Sequence, residues 1–162
     1  EAKLILKTLD FEVLDCVEKK GSVKELSSEL LIEKDYGELL KERDKEEVFL
    51  EAVVTLSDGI VLKETEIFAP YKYLKLKNPQ VEVAVTEEKD EYQIHLCADT
   101  FVPFLELDFA DADAVFGDNY LMLTERKETV VTLKKEDITQ GSFADAEDLR
   151  KRLVCRSVAD TY

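Results

Sequence analysis

The residues best equipped for chemistry lie in one acidic phrase, "LDFADADAVFGDN" at 107–119. Asp108, Asp111, Asp113 and Asp118 offer the hard oxygen donors that calcium takes, yet their spacing departs from the D-x-[DN]-x-[DN]-G loop and no bidentate glutamate closes it. An acidic surface loop is the competing reading. Within the phrase, Asp118 and Asn119 set an acid beside an amide in an otherwise apolar run, a pattern equally suited to a turn held by side-chain to backbone bonds. His95 is the only histidine, so a triad or a two-histidine metal site has no partners to draw on. A retaining glycosidase needs two carboxyls about 5 Å apart, and spacing alone does not single out such a pair among 37 acids. The common phosphate-binding, zinc-protease and hydrolase motifs are absent. No catalytic residue, cofactor-binding residue or cofactor is therefore expected.

Two further sets could bind rather than react. Tyr71, Tyr73, Phe101, Phe104 and Tyr120 are candidate platforms for a sugar ring, although the chain has no tryptophan and strand phenylalanines are commonly core. Lys72, Lys75 and Lys77 form the one basic patch, read either as an anion-binding strip or as the solvated face of a connecting strand.

Composition narrows the classes. The 162 residues are 45% hydrophobic, enough for real cores, and 37 acids against 22 Lys and Arg leave a net charge of −15. That charge repels phosphate backbones and anionic bilayers, so neither nucleic acid nor membrane is an expected partner. No apolar run approaches the roughly 20 residues of a spanning helix. Cys16, Cys97 and Cys155 are an odd set without CxxC spacing, which favours reduced thiols and a cytoplasmic setting over a Cys97–Cys155 bridge. In the strand pattern Cys97 alternates out of phase with Tyr92, Ile94, Leu96 and Ala98, and is expected to face away from their core. The chain opens at Glu1 inside an alternating segment without an initiator methionine, and the expectation is a piece of something longer.

The elements that must position these residues are mostly strands. "VFLEAVVTL" at 48–56 puts Val48, Leu50, Ala52, Val54 and Leu56 on one face, "SDG" supplies a turn with Gly59 free to take positive φ, and "IVLKETEIF" resumes the extended pattern. Short strand signals recur at 81, 91, 104, 128 and 152, the rhythm of a β-sandwich. Between Ser22 and Val48, Val23, Leu26, Leu30, Leu39 and Leu40 stand at helical spacing, but Gly37 and "LLI" at 30–32 restrict any helix to a short one near 35–43. Pro70 and Pro79 bracket a connector, giving units of 1–77 and 78–162. The second shows enough strands for a complete sandwich; the first shows fewer, as though its leading strands were missing.

"FVPFLELDFADADAVFGDNYLMLTERKETVVTL" at 101–133 resembles the C-terminal immunoglobulin-like domain of β-mannosidases in glycoside hydrolase family 2. Phe116, Gly117, Asp118, Asn119, Tyr120, Leu121 and Leu123 carry the resemblance in order. "VFLEAVVTLSDGIVLKETEIFAPYKYLKL" at 48–76, with Pro70, Lys72 and Leu74, is similar to the preceding sandwich domain, and "LVCRSVADTY" to the closing strand. The sequence departs from the family at "TERKE", 124–128, where Pro-Gly is common. The resemblance implies an all-β fold of tandem immunoglobulin-like sandwiches, the first truncated. It also implies a non-catalytic fragment of an exo-glycosidase acting on terminal β-mannosides, whose partner is the catalytic barrel of the same parent chain. Such a barrel takes about 250 residues and cannot fit here. An independent carbohydrate-binding module is the alternative, with carbohydrate as its partner. Phe116 to Tyr120 are then structural residues.

Overall fold

The protein is described by a computed structural model covering residues 1–41 and 43–161. It divides into two compact units, Glu1–Lys75 and Leu76–Tyr162.

In the first unit β1 (Ala2–Thr8), β2 (Val13–Lys19), β3 (Val48–Thr55) and β4 (Val61–Ile67) form one antiparallel sheet in the order β2-β1-β3-β4. Leu6 sits opposite Leu50 and Leu4 opposite Ala52, so the even-numbered apolar residues of β1 and β3 share a face. That face is covered by chain from the β2–β3 connection: Leu6 and Val48 pack with Tyr36 and Leu40, flanked by Leu14, Leu39, Leu50 and Phe68. The helix expected near 35–43 is a single 3-10 turn at Leu39–Lys41, with Glu42 outside the described residues. Just before it, the Gly37 amide donates to Asp35 Oδ1 at 2.7 Å, a local turn that competes with helical bonding. Val23, Leu26 and Leu30, despite their helical spacing, stand in non-helical chain.

The other face of this sheet buries charge. Phe49 is fully buried there, and Lys7 Nζ donates to Glu51 Oε2 at 2.6 Å with both residues nearly inaccessible. Lys63 Nζ lies 3.7 Å from Glu51 Oε1. The β3–β4 connection is the expected hairpin: Gly59 adopts φ 90°, the Ile60 amide donates to Asp58 Oδ1 at 3.0 Å, and Leu56 bonds Ile60 across the loop.

The second unit contains β5 (Val81–Glu87), β6 (Glu91–Ala98), β7 (Val102–Phe109), β8 (Asp113–Ala114), β9 (Leu121–Leu123), β10 (Thr129–Lys134), β11 (Ile138–Gln140), α1 (Ala146–Arg152) and β12 (Leu153–Arg156). Two three-stranded sheets, β10-β6-β5 and β12-β7-β9, enclose the core, and β11-β8 forms a small ribbon. Strict alternation on β6 buries Tyr92, Ile94, Leu96 and Ala98. Against them pack Leu105, Leu107, Leu121, Leu123, Val131, Leu133 and Leu149. The immunoglobulin-like, all-β architecture agrees with the strand rhythm of the sequence.

Two features depart from simple alternation. On β7 the pairs Val102–Leu123 and Leu105–Leu121 leave one extra residue in β7, a bulge that lets residues three apart both face the core. Phe104 takes the strain with φ 52° and stays exposed. The other is α1, which the sequence reading did not anticipate ahead of the strand at 153. Asp145 caps it by accepting from the Asp148 amide at 2.8 Å, while Asp148 Oδ2 accepts from the Ala144 amide at 3.0 Å. Acids in the first turn and Arg150, Lys151 and Arg152 in the last complement the helix dipole, and Leu149 anchors it in the core. Among the described residues no helix is long and apolar enough to cross a membrane.

Candidate functional site

The acid–amide pair at 118–119 is held by backbone twelve residues upstream. Asn119 Oδ1 accepts from the Leu107 amide at 2.8 Å, and Asn119 Nδ2 donates to the Leu107 carbonyl at 2.9 Å. One side-chain amide thus mimics a peptide group, extending the β7–β9 ladder past its last backbone pair at Leu105–Leu121. The mimicry is needed because the main chain turns away here: Tyr120 has φ 57°, outside strand geometry. Asn119 Oδ1 also accepts from the Tyr120 amide at 2.9 Å, and Asp118 Oδ1 accepts from the Asn119 amide at 2.8 Å.

The preceding residues dock the corner. Phe116 stacks on Phe109 at 5.5 Å between ring centroids, and Phe109 contacts Phe143 at 4.7 Å. Gly117 donates its amide to the Thr132 carbonyl at 2.8 Å, and a Cβ at Gly117 would stand 3.0 Å from that oxygen. Absence of a side chain therefore permits the close approach to β10. Tyr120 is 59% exposed, and its hydroxyl donates to Glu106 Oε1 at 3.2 Å; that carboxylate raises the phenol's pKa above its ordinary value.

The candidate calcium ligands are dispersed among other partners. Asp108 Oδ2 accepts from Arg156 at 2.9 Å, with Arg156 also 3.2 Å from Glu106. Asp111 Oδ1 accepts from Arg152 Nε at 3.1 Å. Arg152 further donates to the Ser142 carbonyl at 2.9 Å and to Asp148 at 3.3 Å, and lies over the Phe143 ring at 4.6 Å. Asp113 is exposed at the start of β8, with its carbonyl taking the Thr139 hydroxyl at 3.3 Å. Among the described residues no three His, Cys, Asp or Glu side chains converge as a metal set. The sequence reading missed both arginines; their one local signal is the basic last turn of α1 and the basic end of β12.

Other candidates are likewise separate. His95 Nδ1 lies 3.3 Å from Glu128 and Nε2 3.1 Å from Thr86 Oγ1, on the outer face of β6. Cys16 is exposed and Cys97 half-buried, both as free thiols. Cys155 packs against the core, and burial pushes its thiol up to about 11. Tyr71 and Tyr73 belong to a 3-10 turn in the first unit; Tyr73 is half exposed with Lys72 Nζ 4.6 Å over its ring. Lys75 is tied to Asp44 at 2.6 Å and Glu47 at 2.9 Å. Phe101 is buried, whereas Phe104 is 42% exposed.

Two family models match this chain. An Ig-fold domain model of the mannosidase type covers residues 76–161, and a mannosidase Ig/CBM-like domain model covers 1–73. No curated protein matches. Among solved structures, the β-D-mannosidase from Dictyoglomus thermophilum is similar, with a TM-score of 0.62 at 16% identity. The match covers 96% of this chain and 18% of that one, and identity at this level is a likeness of fold.

Proposed function

We propose, for a chain that belongs to the mannosidase Ig-fold domain family, a non-catalytic supporting role beside the catalytic barrel of a longer exo-glycosidase that removes terminal β-mannosides. The observation that supports this most is how the polar groups of the acidic phrase are used. Asn119 serves Leu107, Arg152 serves Asp111 and Asp148, and Arg156 serves Glu106 and Asp108. Each is committed to fixing chain position, and a scaffold needs stiffness rather than a tuned acid and base. In the parent these units buttress the barrel and hold their edge of it in place.

The test is direct. The purified chain should leave an aryl β-mannoside intact, while the natural polypeptide that contains it hydrolyses the same substrate. Turnover by the isolated chain that survives purification would overturn the reading, as would a full polypeptide inactive on every aryl glycoside tried.

A second reading, carbohydrate binding, draws on the Ig/CBM-like match over 1–73, which includes the half-exposed Tyr73. Saturable mannose-dependent chemical shifts at Tyr71, Tyr73 or Tyr120 would favour it, and their absence favours scaffolding alone.

A further inference from the structure

We propose that β2, an edge strand of the first unit's sheet, pairs antiparallel with β2 of a second copy of this chain. The hydrogen-bond phase of the sheet fixes which backbone groups the edge offers. The Glu1 amine donates to the Thr55 carbonyl at 2.9 Å, the Thr55 amide to the Glu1 carbonyl at 2.8 Å, and the Leu9 amide to the Glu47 carbonyl at 2.9 Å. Odd-numbered residues of β1 therefore bond β3, which leaves Ala2, Leu4 and Leu6 to bond β2 at Lys19, Val17 and Asp15. Cys16 and Glu18 alternate with these, so their N–H and C=O groups point off the sheet edge. Among the described residues no hydrogen bond reaches those backbone groups. The segment Asp15–Lys19 lies beyond the register shift at Leu14 and carries neither proline nor glycine, so nothing local blunts it as a pairing template.

Charge complementarity selects the partner and the register. With Val17 facing Val17 of the second copy across a twofold axis, Asp15 of each copy stands opposite Lys19 of the other. Cys16 then stands opposite Glu18, and these outward-pointing residues exchange the ladder bonds. Opposite charges set directly across an antiparallel pair stabilise it, and this register contains two such pairs. Both partners are open to the contact. Lys19 is exposed and has no ion pair among the described residues, and Asp15 Oδ2 accepts no hydrogen bond there, with Lys34 Nζ 3.5 Å away. The opposite edge, β4, is blocked against itself. Each in-phase antiparallel register that shares five or more of its residues sets Lys63 on Lys63, Glu64 on Glu64 or Glu64 on Glu66. Across "VLDCVEKK" at 13–20 two acids balance two lysines, so the β2 edge is locally neutral in a chain of net charge −15. Physiological salt screens the exposed charges beyond about 8 Å from the contact.

Sedimentation velocity of this chain at physiological ionic strength tests the pairing, with a concentration-dependent dimer as the expected result. Lys19→Glu makes both attractive pairs repulsive at an exposed position; it should weaken the dimer about tenfold or more and leave the circular-dichroism spectrum unchanged. Val17→Cys in a Cys16→Ser background sets two thiols at a non-hydrogen-bonded pair, whose Cα separation of about 4.5 Å suits a disulfide. Diamide should then yield a covalent dimer, the two thiols giving up two electrons and two protons that reduce the diazene to a hydrazine. A chain that stays monomeric up to about 1 mM overturns the proposal. So does a dimer that Lys19→Glu leaves unchanged, which would have to use another surface. Faster cross-linking of the native chain through Cys16 than of the Val17→Cys variant would move the twofold axis to Cys16 and overturn the Asp15–Lys19 pairing.

Discussion

Replacing Asn119 by alanine removes three hydrogen bonds at once: two to the Leu107 backbone and one from the Tyr120 amide. At about 1 kcal/mol net for each bond the direct loss is about 3 kcal/mol. Leu107 is only 2% exposed, so its amide and carbonyl are poorly placed to recruit water, and an unsatisfied buried group costs about 1–3 kcal/mol. Asn119 itself is half-buried, and water entering the vacated space offsets part of that. The expected destabilisation is therefore about 3 kcal/mol, confined to the second unit. For a unit of this size that is a fall of roughly 12–24 °C in its melting temperature. Urea unfolding followed by circular dichroism measures it, with exchange at the Leu107 amide as a local readout. Asn119→Asp sharpens the test, since it keeps the acceptor but turns an oxygen toward the Leu107 carbonyl; at pH 7 it should be at least as damaging. An alanine variant losing under about 0.5 kcal/mol, or an aspartate variant as stable as the native chain, would refute the peptide-mimic account. In an active parent both variants should lose stability well before they lose chemistry.

Three other outcomes are expected. Gly117→Ala, whose Cβ would meet the Thr132 carbonyl at 3.0 Å, should cost about 1–2 kcal/mol in denaturant unfolding and perturb the Thr132 resonances; a neutral result would show that β10 yields freely. Lys7→Met removes the 2.6 Å partner of the buried Glu51 carboxylate and should cost about 3 kcal/mol, whereas Lys7→Met/Glu51→Leu should recover most of that in a double-mutant cycle. With its thiol raised to about 11, Cys155 should resist an aromatic disulfide reagent at pH 8 in the folded protein while exposed Cys16 reacts. The sign is that of an acid whose folded pKa exceeds its ordinary 9.0: the thiol favours folding fully below pH 9 and loses that contribution as pH rises through about 11. Equal labelling of the two thiols at pH 8 would contradict the burial.

What a reader of the residues alone can see follows from which forces are local. A strand's two faces alternate within a few residues, so β6 is legible in "EYQIHLCA", the hairpin in "VFLEAVVTLSDGIVLKETEIF", and the all-β class in their rhythm. The corner at Phe116–Tyr120 is visible as a pattern. Its reason is not, because Asn119 completes its bonding with Leu107, 12 positions away. Where local signals conflict, tertiary contacts decide. Helical spacing over 23–40 yields to burying Tyr36 and Leu40 on the sheet, and α1 forms where a cap, ordered charges and one buried Leu149 agree. Charge is least legible of all: 37 acids look like solvated surface until the fold brings Lys7 to Glu51 across 44 positions, Arg152 to Asp111 across 41 and Arg156 to Asp108 across 48. Sequence determines which residues can form strands and turns, since those preferences act along the chain. Only the tertiary structure decides which polar groups become partners, because an ion pair or a borrowed backbone bond depends on distance in space.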